Sequence, residues 1–83
     1  MTRVGGKFLE ADFVQEVPSG TVNGSNVNFT LSSAPADPTR VMVWLNGIKQ
    51  IYTTDYSVSG TTVTFVTAPA DGQSVDVAFL REN

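Results

Sequence analysis

Cysteine and histidine are both absent from this chain of 83 residues. Without cysteine the chain has no disulfide and no thiolate metal ligand. Without histidine as well, it lacks the Ser-His and Cys-His pairs that activate most protein nucleophiles. The carboxylates show no metal-ligand spacing, and Gly5-Gly6 neither follows a strand nor opens a helix as a phosphate-binding loop would. We therefore expect no enzymatic activity and no cofactor.

Charge is also sparse, at 16% of residues, with a net charge of −3. The basic residues form no cluster along the sequence, which argues against binding to a nucleic-acid backbone; they are Arg3, Lys7, Arg40, Lys49 and Arg81. No apolar run approaches the ~20 residues that span a bilayer, and the N-terminus lacks the apolar stretch of a signal peptide. Neither nucleic acid nor membrane is an expected partner.

The small size limits the stability that the chain can gain from its own core. At this length we expect one domain, and a domain of this size buries only about 60–65% of the surface that its unfolded chain exposes. Hydrophobic residues make up 41% of the chain, so it is expected to fold. Oligomerisation is the common support for a domain this small without disulfides.

An internal repeat runs through most of the chain. Residues 22–29 read VNGSNVNF and residues 58–65 read VSGTTVTF. After a short slip, APADPTRVMVWL at 34–45 matches APADGQSVDVAFL at 68–80. Two copies of one strand-turn-strand unit indicate an architectural protein.

Short alternating segments separated by turns predict an all-β fold, a small antiparallel β-sandwich or barrel of about seven strands. The predicted strands are 13–17, 27–31, 41–45, 48–51, 56–58, 61–66 and 75–80. Asn46-Gly47 is the strongest hairpin signal, since a type I′ turn needs positive φ at both positions, and 22–27 is a second. Residues 1–12 form an N-terminal arm before the domain at 13–83. The arm is expected to be a strand or, alternatively, one helical turn at 7–12.

Alternation also predicts which faces of the strands are buried. Val75, Val77 and Phe79 point to the core, so Asp76 and Ala78 point outward. The repeat then places Met42 and Trp44 on the outer face. Three explanations stay open: the loop 46–56 or the arm covers them, they contact another subunit, or they form a platform for sugar stacking.

Other side chains suggest chemistry more weakly. Tyr52 and Tyr56 flank Asp55, an arrangement that suits either glycan contact or an ordinary turn. Asp37 and Asp71 could resemble the carboxylate pair of a glycosidase. They occupy the same position in the two repeat copies, however, where aspartate commonly bonds to the local backbone. A role in the turn is the preferred interpretation.

Residues 13–80 contain a series of spaced motifs: E-x-P-x-G-x-V-N-G-x-N-x-x-F-T-L, a proline loop, an N-G turn followed by Q, D-Y-x-V-S-G-x-x-V-T-F, and A-P. They are carried by Glu16, Pro18, Gly20, Val22-Asn23-Gly24, Asn26, Phe29-Thr30-Leu31, Asn46-Gly47, Gln50, Asp55-Tyr56, Val58-Ser59-Gly60, Thr64-Phe65 and Ala68-Pro69. This series resembles a module that recurs in tailed-bacteriophage virion proteins, including tail fibres, tail and neck components and head-attached proteins.

The resemblance implies a non-enzymatic structural protein located in the virion. Its expected partners are copies of itself, as a homotrimer, and other virion proteins. The expected contact residues are Met42 and Trp44 on the outer face, with Phe8 and Leu9 in the arm. The alternative is a carbohydrate-binding module that recognises a host-surface glycan, with Tyr52, Tyr56 and Trp44 as candidate contacts.

Overall fold

Two antiparallel sheets pack face to face in the computed structural model, which describes residues 13–82. The seven strands of this part of the chain are β1 (Phe13–Glu16), β2 (Asn28–Thr30), β3 (Met42–Leu45), β4 (Ile48–Lys49), β5 (Tyr56–Ser59), β6 (Thr62–Phe65) and β7 (Val75–Leu80). Sheet A has the order β1-β7-β3-β4, and sheet B has the order β2-β6-β5. The sheets do not close into a barrel, so of the two expected all-β forms the sandwich is the one observed.

The core lies between the sheets and is built from alternate residues of each strand. Its buried members are Phe29, Leu31, Val41, Val43, Tyr56, Val63, Phe65, Val75, Val77 and Phe79. The rings of Phe29 and Phe65 meet edge to face, with centroids 5.5 Å apart. The predicted inner face of the last strand is therefore confirmed, and it forms one wall of this core.

The repeat has a structural meaning that the sequence did not disclose. β3 and β7, the last strands of the two copies, pair with each other, and Val43 lies opposite its own repeat counterpart Val77. In sheet B, Asn28 likewise lies opposite its counterpart Thr64. When a residue faces its own counterpart across an antiparallel ladder, the two strands are related by a local two-fold axis at that pair. Both sheets are thus centred on an internal pseudo-two-fold axis.

The pairing also extends the repeat to the edge strands. Gln15 of β1 lies opposite Ala78, and Lys49 of β4 lies opposite Trp44. Trp44 and Ala78 are repeat counterparts, so Gln15 and Lys49 occupy equivalent places at the two edges of sheet A. β1, the first strand of one copy, therefore pairs with β7, the last strand of the other copy. In the same way, β4 pairs with β3.

The turn that joins the copies is the predicted two-residue hairpin. Leu45 pairs with Ile48, and the two residues between them have φ values of 56° at Asn46 and 84° at Gly47. Positive φ at both central positions is the requirement of a type I′ turn. A Cβ at Gly47 would find no atom within 4 Å, so glycine is needed there for its backbone conformation alone.

The second predicted hairpin, at residues 22–27, is wrong. This stretch is a loop whose turn is held by Asn23: its Oδ1 accepts hydrogen bonds from the backbone N–H groups of Ser25 and Asn26, both at 2.9 Å. The segment before this loop forms a single antiparallel β-bridge, between Ser19 and Thr30, in place of the first strand of a hairpin. The asparagine side chain replaces the ladder bonds that a hairpin would have used.

Candidate functional site: a groove on the outer face of sheet A

The strand register places Met42 and Trp44 on the outer face of sheet A. Met42 lies opposite Ala78, and Trp44 lies between Asp76 and Lys49 in the next row. Both large side chains are half-buried, and Ala78 is only 2% exposed although it belongs to the outer face. This face is therefore more apolar and better covered than the solvated side of a small sandwich usually is.

The apolar surface continues to the end of the sheet where β1 begins and β7 ends. Phe13 pairs with Leu80 there, and the two side chains are 45% and 56% exposed. Together with Met42 they line a groove of about 570 Å³, whose remaining wall includes Arg40 and Lys49. The groove thus combines an apolar floor with two basic side chains and one acidic side chain, Asp37.

A short 3₁₀ helix, Pro38–Arg40, holds Arg40 at the wall of the groove. The Oδ1 atom of Asp37 accepts hydrogen bonds from the Thr39 backbone N–H at 3.0 Å and from the Thr39 hydroxyl at 2.7 Å. Its Oδ2 atom lies 3.5 Å from Arg40 Nε. The hydrogen bonds from Thr39, and then the charge of Arg40, hold the pKa of Asp37 below its ordinary value. Asp37 is thus used locally, as the turn interpretation predicts.

The internal repeat provides a comparison for this groove. At three groove positions the other copy carries a small or polar residue: Arg40, Met42 and Lys49 correspond to Ser74, Asp76 and Gln15 respectively. Phe13 and Leu80 correspond to Gly47 and Asn46, which form the hairpin turn and therefore provide no comparison. The fold thus accepts uncharged or acidic polar residues in the places of Arg40, Met42 and Lys49.

Sequence reasoning missed four residues of the groove: Phe13, Leu80, Arg40 and Lys49. A signal for Leu80 existed, because it continues the outward alternation of Asp76 and Ala78. Phe13 could have been found only by knowing that β1 pairs with β7. Phe8 and Leu9, the other expected contact residues, and the helical turn considered at 7–12 lie outside the described residues.

The expected cover over Met42 and Trp44 by the loop 46–56 is only marginal. Lys49 lies beside Trp44 and lines the groove, Tyr52 packs against the core, and Ile48 and Ile51 are exposed. Two hydrogen bonds join Ile51 and Asp55: the Asp55 N–H donates to the Ile51 carbonyl, and the Ile51 N–H donates to Asp55 Oδ2. Residues 51–55 therefore close on themselves, and none of them lines the groove.

The candidate glycan contact at Tyr56 needs correction. Tyr56 is 1% exposed, and its hydroxyl donates a hydrogen bond to the Val41 carbonyl. Tyr52 stacks on it edge to face, with ring centroids 5.7 Å apart. Burial, and then the nearby Tyr52 and Asp55, raise the pKa of Tyr56. A ring held in the core presents no face to a sugar, so only half-buried Tyr52 remains of this pair.

A second surface depression is more polar. It has a volume of about 360 Å³ and includes Leu45, Gln50, Asp55, Val66 and Gln73 in its wall. Within residues 13–82, no three acidic side chains come close enough together to hold a metal ion. No helix in that part of the chain is long and apolar enough to cross a membrane.

Comparison with protein-family models, with curated proteins and with solved structures finds no match to this chain.

Proposed function

We propose that this protein is a non-enzymatic structural component of a bacteriophage virion, and that it assembles with copies of itself through the outer face of sheet A. The proposed contact consists of Met42 and Trp44 together with the groove beside them. Other virion proteins are the proposed further partners.

The observation that carries the self-assembly proposal is the difference between the two repeat copies. One copy has Met42 where the other has Asp76, at equivalent places in the paired strands β3 and β7. Because the strand forms with aspartate at that place, strand pairing does not account for the apolar methionine. Exposed apolar clusters bordered by polar residues are typical of protein contacts, and tryptophan, methionine and arginine are enriched in them.

The virion part of the proposal depends on the motif resemblance, and the positions of the motif residues support a scaffold role. Asn23 holds a loop, Asn46-Gly47 forms the central hairpin, and Asp55 binds the backbone of Ile51. Glu16 accepts hydrogen bonds from the backbone and the hydroxyl of Ser32 at 2.9 and 2.7 Å. The motif residues thus form turns and core contacts. This is what we expect of a module whose fold recurs in proteins with different tasks.

The test of self-assembly is the solution mass of the full chain and of two variants. We expect the wild type to be an oligomer at micromolar concentration, with three copies as the expected number. Trp44→Ala should weaken association by about 2 kcal/mol or more, as the loss of a central interface tryptophan does. Ile51→Ala is the matched control, because Ile51 is 61% exposed away from the groove and should leave the mass unchanged.

The thermal midpoint of Trp44→Ala distinguishes a role of Trp44 in subunit contacts from a role in the core of the single chain. A loss of about 3–5 kcal/mol in the stability of the single chain would identify Trp44 as a core residue and would contradict the contact proposal. Location is tested separately, by mass spectrometry of purified particles and by the neighbouring genes, which should encode head or tail proteins. Specific binding on a glycan array, lost in Trp44→Ala while the chain stays monomeric, would favour the carbohydrate-binding alternative.

A further inference from the structure

We propose that the groove beside Met42 receives residues 8–12 of a neighbouring copy, so that subunits are linked by exchanged N-terminal arms. The segment reads Phe-Leu-Glu-Ala-Asp. This inference rests on the proposed self-assembly and names the contact that would hold it together.

The chemistry of the groove matches this segment. Its floor is apolar, with Phe13, Met42 and Leu80, and its wall carries Arg40 and Lys49 beside one carboxylate, Asp37. The arm segment offers two large apolar side chains followed by two carboxylates at alternate positions. The wall thus holds two of the five basic residues of a chain whose net charge is negative.

Of the two basic side chains in the groove wall, only Arg40 has a carboxylate partner within residues 13–82. Arg40 forms an ion pair with the carboxylate of Asp37, and this is the only ion pair within 4.0 Å in residues 13–82. Lys49 therefore has no carboxylate partner in that part of the chain. In the other repeat copy, the positions of Arg40 and Lys49 are held by Ser74 and Gln15, which are uncharged. A negatively charged segment lying in the groove would give Lys49 a carboxylate partner.

The start of β1 brings residues 8–12 within reach of a groove. β1 starts at the end of sheet A where β7 finishes, because Phe13 pairs with Leu80. Residues 8–12 join the described chain at this end. An extended stretch of five residues spans about 16 Å, at roughly 3.3 Å per residue, a length sufficient to reach a second subunit. The complementation test below decides between a neighbour's groove and the chain's own.

Complementation between two damaged variants tests the exchange. The arm variant carries Phe8→Ser and Leu9→Ser, with an intact groove. The groove variant carries Met42→Asp and Leu80→Asn, with an intact arm; the other repeat copy uses aspartate at the position of Met42, and Leu80 is 56% exposed, so the fold should tolerate both changes. Val66→Asn, at a position that is 68% exposed outside the groove, is the matched control. Circular dichroism melts establish that each variant is folded.

We expect each damaged variant alone to self-associate at least about tenfold more weakly than the wild type, and the control to associate normally. An equimolar mixture should form a mixed complex, since one intact arm then meets one intact groove. A second test reverses charges: Lys49→Glu should weaken association, and adding Glu10→Lys in the same chain should restore it.

The outcomes separate this inference from the proposed function. If the wild type assembles and Trp44→Ala weakens it while the arm variant assembles normally, the self-assembly proposal stands and the arm exchange is overturned. If both damaged variants are weakened but their mixture forms no complex, each arm occupies its own groove and the exchange is overturned. A wild type that is monomeric throughout would overturn both proposals.

Discussion

Substitution of Gly20 by alanine should be the most destabilising single-methyl addition among the positive-φ glycines of residues 13–82. Gly20 has a φ of 147°, a conformation that side chains with a Cβ rarely adopt. A Cβ built there would lie 2.5 Å from Phe29 Cδ2 and 3.1 Å from the carbonyl oxygen of Asn28. Phe29 has little freedom to retreat, because it is 1% exposed and packs edge to face on Phe65.

Two costs therefore add at Gly20. Backbone strain at such a φ is worth about 1–3 kcal/mol, and overpacking of a well-filled core costs about 1–3 kcal/mol. We expect Gly20→Ala to lose roughly 2–6 kcal/mol of unfolding free energy. Gly47→Ala is the matched control: its φ is 84°, but no atom lies within 4 Å of the added Cβ, so only strain of about 1–2 kcal/mol remains.

Urea denaturation of both variants, followed by the fluorescence of Trp44, measures the difference. A domain of this size shifts its thermal midpoint by about 4–8 °C per kcal/mol, so melts provide a second reading. If Gly20→Ala were no more destabilising than Gly47→Ala, then Phe29 would not pack against Gly20 as described, and the account of this corner of the core would fail.

Three further predictions concern the hairpin and the buried tyrosine. Gly47→Val should cost about 1–3 kcal/mol through backbone strain alone, and an unchanged melting midpoint would contradict the type I′ turn. Tyr56→Phe should cost about 1–3 kcal/mol, because the Val41 carbonyl loses its buried donor; a neutral effect in urea denaturation would mean that water replaces it. The raised pKa of Tyr56 predicts that its contribution to stability is constant below about pH 10, where unfolded tyrosine ionises, and falls as pH rises beyond it. Tyr56→Phe should flatten that fall, and an equal fall in the variant would assign it to another group.

Alternation of side chains and turn chemistry were sufficient for much of the fold. The inner and outer faces of β7 and β3 follow from a period of two, which depends only on backbone geometry. The Asn46-Gly47 turn follows from the φ values that its type demands. The loop at 22–27 could not be separated from a hairpin in this way, because Asn23 serves equally in a tight turn and in a side-chain-capped loop.

Features that depend on contacts between segments distant in the sequence could not be predicted from the sequence alone. The burial of Tyr56 includes a hydrogen bond from its hydroxyl to the carbonyl of Val41, the residue before β3, and nothing local to residue 56 encodes that contact. The groove likewise depends on β1 lying beside β7, which brings Phe13 to Leu80. Met42 and Trp44 were placed on the outer face because the repeat transfers the alternation of one strand to the other. Their proposed role in contacts stays a prediction.

The most direct test of the central claim is the mass of the full chain in solution, measured by light scattering from micromolar to tens of micromolar concentration. Assembly through the outer face of sheet A predicts a multiple of the 8.9 kDa chain mass for the wild type and a return toward the single-chain mass for Trp44→Ala. A wild-type mass of one chain at every concentration, in salt like that around a virion, would contradict the account.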